Sequence, residues 1–341
     1  MSKVYLHLTE ECNMACKYCY MRQLRSLGTR KMSKETAYKA VDYMAQDKDW
    51  NVESIIFFGG EPMLEQGMIK IVTEYINKKY PGRFNLSMIT NGTLLTQSFV
   101  DFAKENSIGI ILSYDGIHGP RNRVNEDDRE LLVINKDWIK DHCMSALSVI
   151  DITNVRFLHD NVMHLRDAGF KRIQHVTNYD AEWNMELLEV LRAEWKKVTE
   201  SYISWKEAGE DISLARLETM TRLYVRRFIM DDIPGFSPLM GISVTGGIYP
   251  YPGSVGNEAL LLGDVYTGFD MAKMSHVQSL AKVEACTGCD IIDICPSAKG
   301  NILLDNLQPH SHRISCESYK IMVDCAEEVL ERLLYAGEVS I

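Results

Sequence analysis

An α/β fold of six βα units, followed by a smaller cysteine-bearing module, is predicted by three features of this 341-residue sequence. Short apolar or β-branched runs alternate with longer helical patterns as far as residue 180, the rhythm of a parallel sheet. Beyond Pro234 and Pro238 that rhythm stops and a new set of cysteines begins. A composition of 46% hydrophobic and 9% aromatic residues is enough to build a substantial core.

Strands are expected at Val4 to Leu8, Ser54 to Phe58, Leu86 to Ile89, Ile110 to Ser113, Ala146 to Ile150 and Arg172 to Val176. Between them, Lys34 to Gln46 repeats Ala37, Ala40, Val41 and Met44 at helical spacing behind Ser33, a suitable N-cap. Further helices are expected at Met68 to Lys79, Gln97 to Glu105, Asp128 to Lys140 and Val155 to Asp167, the last closed by Gly169. A long charged helical region runs from Glu182 to Met230, and a hairpin-like stretch surrounds Gly246 and Gly247. A helical tail spans Tyr319 to Leu334. These patterns divide the chain into residues 1–182, a bridging helical region 183–235, and a C-terminal module 236–341.

A formal charge of −10 repels polyanions, which argues against nucleic acid as a partner. No run of about 18 apolar residues could span a bilayer, and the N-terminus enters a strand at once, so no membrane role and a cytoplasmic location are expected. Nine cysteines in a reducing compartment point to metal ligation or redox chemistry rather than disulfides.

Ligands of βα sheets and barrels bind at the carboxyl ends of the strands. The unusual loops fall there: Cys12, Cys16 and Cys19 after the first strand, Gly59, Gly60, Glu61 and Pro62 after the second, Thr90 and Asn91 after the third, Asp115 after the fourth. Three thiolates on one loop can hold a 4Fe-4S cluster and leave one iron open to a small chelating molecule. A zinc site is the alternative, but it wants a fourth Cys or His, and His7, the only one close by, lies inside a strand.

The segment LTEECNMACKYCYM, with Tyr18 just before the third cysteine, resembles the radical S-adenosylmethionine (SAM) superfamily. The resemblance implies a partial (β/α)6 TIM barrel in which the reduced cluster cleaves SAM to a 5′-deoxyadenosyl radical that abstracts hydrogen from a substrate. It makes Cys12, Cys16 and Cys19 the cluster ligands and Tyr18 the adenine contact. It also assigns Gly59, Gly60, Glu61 and Pro62 to the methionyl amino group, where Glu61 offers an anionic acceptor; a mere tight turn is the plainer reading of Gly-Gly-Glu-Pro. Ser87, Thr90, Asn91, Ser113 and Asp115 can hydrogen-bond the ribose or carboxylate, and Asn91 before Gly92 is also a turn former. Arg121 or Arg123 stands where relatives carry an arginine near the cofactor carboxylate; a solvated charge is the alternative.

Cys286, Cys289, Cys295 and Cys316 supply four thiolates, enough to close the coordination of a second cluster or of a structural zinc. Their C-x2-C-x5-C spacing resembles the SPASM or twitch extension, which implies a small C-terminal iron-sulfur domain. Tyr251 and Lys299 stand where further cysteines of the full SPASM pattern would fall, so one auxiliary 4Fe-4S cluster is expected, as an electron relay or structural staple. Cys143 and Cys325 are expected as buried small hydrophobes; a hydrogen-atom donor to a substrate radical is the sharper alternative. His159, His164, His175, His310 and His312 are conceivable acid-base groups, His175 foremost because it nears the end of the sixth strand.

Relatives with this extension commonly mature ribosomal peptides by crosslinking, epimerisation or oxidation, and others act on small molecules. The expected partners are therefore a peptide or small-molecule substrate and an electron donor such as flavodoxin or ferredoxin; since no recognition domain precedes the first strand, leader binding falls to the core fold or to a separate leader-binding protein. A noncatalytic electron carrier would not need the Gly-Gly-Glu-Pro loop or a missing fourth ligand. A dead peptide-presenting scaffold would not need all of the loop cysteines.

Overall fold

The computed structural model describes residues 2–19, 21, 29–46, 51–119, 136–229, 239–279, 286–296 and 309–335. Six parallel strands, β1 (Ser2–Thr9), β2 (Val52–Gly59), β3 (Asn85–Thr90), β4 (Ile108–Ser113), β5 (Ser145–Ile150) and β6 (Arg172–Thr177), lie side by side in chain order. Each expected strand is present, mostly longer by one or two residues at an end. β1 and β6 do not pair: β6 is extended by parallel β7 (Ser213–Leu214), and β1 by parallel β8 (Leu239–Ile242). The barrel is thus partial. β7 has too few residues to display a period, so the sequence gives no sign of it.

β9 (Gly247–Tyr249), β10 (Gly263–Asp264) and β11 (Gly268–Phe269) continue the same sheet antiparallel from β8. Gly246, at φ 92°, turns the β8–β9 hairpin, and the Ser243 hydroxyl accepts from the Gly247 amide at 2.9 Å. The expected hairpin is therefore present.

Alternation along the strands separates two faces. Leu6, Phe57, Met88, Ile110, Ala146 and Ile173 join the buried core with the helices. Burial of such a side chain contributes about 1.5–3 kcal/mol. The other face carries, in register, His7 opposite Phe58, Ile89 opposite Ile111, Ser113 opposite Leu147, and Val149 opposite Val176. Much of this face stays partly exposed, Val176 to 42%.

The crossover helices are α1 (Lys34–Gln46), α2 (Gln66–Lys79), α3 (Gln97–Glu105), α4 (Lys136–Asp141) and α5 (Leu158–Ala168). The Ser33 hydroxyl accepts from the Thr36 amide at 3.0 Å and Thr96 from the Phe99 amide at 3.3 Å, caps that contribute about 1 kcal/mol each. Gly169 closes α5 in the left-handed conformation, as expected. Of the helix expected at Asp128 to Lys140, the part before residue 136 lies outside the described residues.

The long charged region is two helices, α6 (Met185–Glu207) and α7 (Ala215–Ile229), separated by a turn at Gly209 (φ 74°) and by β7. After α8 (Met271–Ser279), α9 (Pro309–Tyr335) packs across both α6 and α7. The tail helix thus begins ten residues earlier than its apolar period suggests, and Cys316 lies inside it rather than ahead of it. Among the described residues, no helix is long and apolar enough to cross a membrane.

Candidate cluster and cofactor site

The first cysteine loop leaves β1 at buried Thr9, and its return is fixed at the same point. The Glu10 amide donates to the Arg30 carbonyl at 2.9 Å and the Met32 amide to Leu8 at 2.8 Å. Buried Glu10 takes a forked contact from Arg30, with Nη2 at 2.7 Å, while Lys31 reaches Glu11 at 3.0 Å and Glu65 at 2.8 Å. Inside this closed loop Cys12, Cys16 and Cys19 are each partly exposed. The Met14 amide lies 3.4 Å and the Asn91 side-chain amide 4.0 Å from the Cys12 sulfur, donors that favour a thiolate.

The glycines of the second loop are required by the first. A Cβ on Gly59, at φ 133°, would collide with the Thr9 carbonyl, and one on Gly60 with that of Glu11. That closeness lets the Gly60 amide donate to Thr9 at 2.8 Å and the Glu61 amide to Glu11 at 2.7 Å. In this structure the two glycines admit the cysteine loop itself.

Glu61 is only 1% exposed. Its Oε1 accepts from the Thr90 hydroxyl at 2.6 Å and the Met63 amide at 3.0 Å, and Oε2 from the Asn91 amide at 2.8 Å. Burial pushes the carboxyl above its ordinary range and these donors pull it back. The carboxylate ties the β2 and β3 loops together, so in this structure its acceptor capacity is directed to protein groups. Pro62 opens the short 3₁₀ turn that follows.

Thr90 is buried and also accepts from the Gly92 amide at 3.0 Å. Asn91 accepts from the Thr93 amide at 3.0 Å and hydroxyl at 2.7 Å and donates to Asn13 at 2.9 Å, and Asn13 donates to Thr93 at 2.7 Å. This ring locks the cysteine loop onto the β3 loop. Asn13 and Thr93 escaped the sequence reading; the polar residue directly after Cys12 was the available signal.

Farther round the rim, the Tyr18 hydroxyl donates to Asp115 Oδ2, while Oδ1 of the same buried carboxylate accepts the Val149 amide at 2.7 Å. The rim therefore gathers Cys12, Cys16, Cys19, Tyr18, Gly59, Gly60, Glu61, Pro62, Thr90, Asn91 and Asp115. Ser113, the last residue of β4, adjoins them on the face turned from the helices. Ser87 shares that face but lies three residues back along β3, below the rim. Arg121 and Arg123 are outside the described residues.

His175 points to the helix layer, stacking edge-on with Trp195 at 5.2 Å. Burial, with the Arg216 charge, pushes it down to about 3, so it packs as a neutral ring away from the rim. His164 and His159 meet Tyr114 at 3.1 Å and Ser201 at 2.9 Å. The side chains of His310 and His312 are outside the described residues. His7, buried on the open face beside Phe58, is also pushed down to about 3 by burial.

In the C-terminal module, burial pushes the Cys316 thiol up to about 11, reinforced by the charges of Cys295, Cys286 and Cys289. Each of those three sulfurs thus lies within electrostatic reach of Cys316. Cys325 is buried in α9 as expected, its thiol pushed up to about 11 by burial. Cys143 is not buried: it occupies the turn after α4 at φ 50° and is exposed, because the chain reverses there at the surface. Tyr251 precedes a 3₁₀ turn, its carbonyl accepting the Ser254 hydroxyl at 2.6 Å.

Residues 6–133 match the model of the Radical SAM superfamily, so this stretch is a radical SAM domain. In fold, the chain is similar to anSMEcpe with bound AdoMet, with a TM-score of 0.77 at 17% identity over 99% of this chain and 96% of that one. It is also similar to Streptococcus suis SuiB bound to the precursor peptide SuiA, with a TM-score of 0.61 at 16% identity over 91% of this chain and 73% of that one. In sequence, it is 36% identical over 124 residues to a S-adenosylmethionine-dependent nucleotide dehydratase of Selenomonas ruminantium, covering 34% of this chain and 40% of that protein. The chain spans well under half the length of such curated relatives.

Radical SAM proteins use a 4Fe-4S cluster and SAM. Three partly exposed thiols on one fixed loop, with N–H donors at the Cys12 sulfur, fit a three-ligand cluster.

Proposed function

We propose that this chain is a radical SAM enzyme that abstracts hydrogen from a peptide substrate and so modifies a ribosomal peptide by crosslinking, epimerisation or oxidation. The observation that carries the radical SAM part is the interlock of the Cys12–Cys16–Cys19 loop with the Gly59–Gly60–Glu61 segment.

When bound, the reduced cluster supplies the electron that cleaves SAM to methionine and a 5′-deoxyadenosyl radical. Cys12, Cys16 and Cys19 would hold that cluster through three of its irons, and the fourth would be available to the cofactor. With the Glu61 carboxylate occupied, Gly59 and Gly60 would offer backbone groups to the ammonium instead. Glu61, Thr90 and Asn91 act behind the cofactor by fixing the loops. Tyr18, held by Asp115, presents its ring to the adenine. The open face of β3 to β6, with Ser113, Val149 and Val176, receives the substrate.

Cys286, Cys289, Cys295 and Cys316 hold an auxiliary cluster in this reading. Among the described residues no three His, Cys, Asp or Glu side chains close on a single ion.

A peptide substrate is supported by the likeness in fold, over nearly the whole chain, to anSMEcpe with bound AdoMet and Cp18Cys peptide. The Selenomonas relative supports a small-molecule substrate as the second reading. The test is to incubate the anaerobically reconstituted protein with SAM, a reductant, and synthetic peptides encoded by small reading frames beside its gene. Peptide-dependent 5′-deoxyadenosine with a mass change in the peptide is expected. Stimulation by nucleotides or other metabolites alone would overturn the peptide assignment, and no 5′-deoxyadenosine under any condition would overturn the enzyme.

A further inference from the structure

Helix α7 touches both halves of the second cysteine set. Near its start, Arg216 Nη2 donates to the Ser318 hydroxyl at 3.0 Å and to the Tyr179 hydroxyl at 2.8 Å, and its guanidinium lies 5.1 Å from the Tyr319 ring centroid. Nη1 reaches Thr177, the last residue of β6, at 3.4 Å. Ser318 and Tyr319 are buried on α9 within one turn of Cys316. Near the other end of α7, Arg227 Nε lies 3.0 Å from Asp293 Oδ2, and Nη2 donates to the Asp290 carbonyl. Both aspartates fall between Cys289 and Cys295. Eleven residues separate the arginines on one helix, about three turns, so they share a face. Between them Tyr224 donates to Glu327 of α9 at 2.6 Å.

We infer that Arg216 and Arg227 are positioning residues for the auxiliary cluster: Arg216 fixes the helix that carries Cys316, Arg227 fixes the loop that carries Cys289 and Cys295, and rigid α7 sets the distance between them. This rests on the auxiliary-cluster reading above. No other described residue joins α7 to the loop between Cys289 and Cys295 through a charged group. Arginine suits both places, because its rigid planar fork holds its acceptors in fixed directions, and at Arg216 the same plane stacks on Tyr319, a geometry that a lysine ammonium does not reproduce. Through Thr177 and Tyr179 the same guanidinium ties the cluster module to the carboxyl end of β6, beside the open face of the barrel.

The test uses the full chain with Cys12, Cys16 and Cys19 all replaced by Ala, reconstituted anaerobically, so that only the second site can hold iron. Into this parent go Arg216→Met, Arg216→Lys, Arg227→Ala and Arg227→Lys. Arg332→Ala is the control, since Arg332 joins α9 to Glu207 at 3.1 Å, away from the cysteines. The readouts are the electron paramagnetic resonance spectrum of the reduced cluster and the rate of iron release to bathophenanthroline. Arg216→Met and Arg227→Ala should release iron about 10- to 100-fold faster, the usual cost of losing a ligand-orienting partner, with a changed spectrum. The lysine variants should fall between these and the parent, and Arg332→Ala should match the parent. A merely structural role would lower the melting temperature without moving the spectrum, and that result overturns the inference. Should the truncations fail to fold, parent-like release from both lysine variants overturns it equally. A parent that holds no iron-sulfur cluster overturns the auxiliary-cluster reading instead, and the inference with it.

Discussion

The Tyr18 hydroxyl and the Asp115 carboxylate join the cysteine loop of β1 to the end of β4, and the Val149 amide of β5 donates to the same carboxylate. One acid thereby fixes an aromatic ring directly beside Cys19. Hydrogen bonds to charged groups contribute about 1.5–3 kcal/mol. Tyr18→Phe and Asp115→Ala should each weaken SAM binding to the reconstituted protein about tenfold or more. Combining them should cost little beyond either alone, because they remove one unit. Equilibrium binding under anaerobic conditions measures this, and full additivity would mean the residues act separately.

Gly60→Ala places a methyl against the Glu11 carbonyl, which cannot retreat while the Glu61 amide is bonded to it. Iron at the first site should be lost while the second site keeps its own. Iron counting with metal-specific spectra of the two sites checks this. Retention of both would show that the loop can shift.

Wild-type protein reconstituted at both sites should contain about eight irons per chain. Cys16→Ala should reduce this to about four and abolish 5′-deoxyadenosine formation. Cys289→Ala should impair product formation more than cofactor cleavage. Zinc in place of the second four irons on elemental analysis would convert the C-terminal site to a structural one.

His7 and His175 are buried and pushed down to about 3 from 6.5. A depressed folded value means that the contribution to stability is present above the unfolded pKa of about 6.5 and lost as pH falls toward 3. Between pH 6.5 and pH 5 each should cost about 2 kcal/mol, at about 1.4 kcal/mol per pH unit. Denaturant unfolding should therefore show the parent losing stability faster than His7→Phe/His175→Phe as the pH is lowered. Parallel pH profiles would contradict the assignment.

Cys143 is exposed and Cys325 buried with a raised thiol pKa. Brief iodoacetamide treatment of the folded holoprotein should alkylate Cys143 and spare Cys325 until denaturant is added, as peptide mass mapping would show. Equal labelling would mean that α9 opens readily.

The amino-acid sequence by itself determined the six parallel strands, most crossover helices and the rim that collects the cysteine loop, because period, caps and loop position are encoded within single short segments. Only the tertiary structure decided how the rim residues are used. Glu61 meets donors from residues 90 and 91, Tyr18 meets Asp115, and Gly60 makes room for Glu11, partners distant in sequence whose pairing no local pattern contains. The same holds for Cys143, exposed, and His175, turned to the helix layer: both faces follow from where a segment packs. Hydrogen-bond capacity is written in the residue, but its direction is set by which loops the folded sheet brings within about 3 Å.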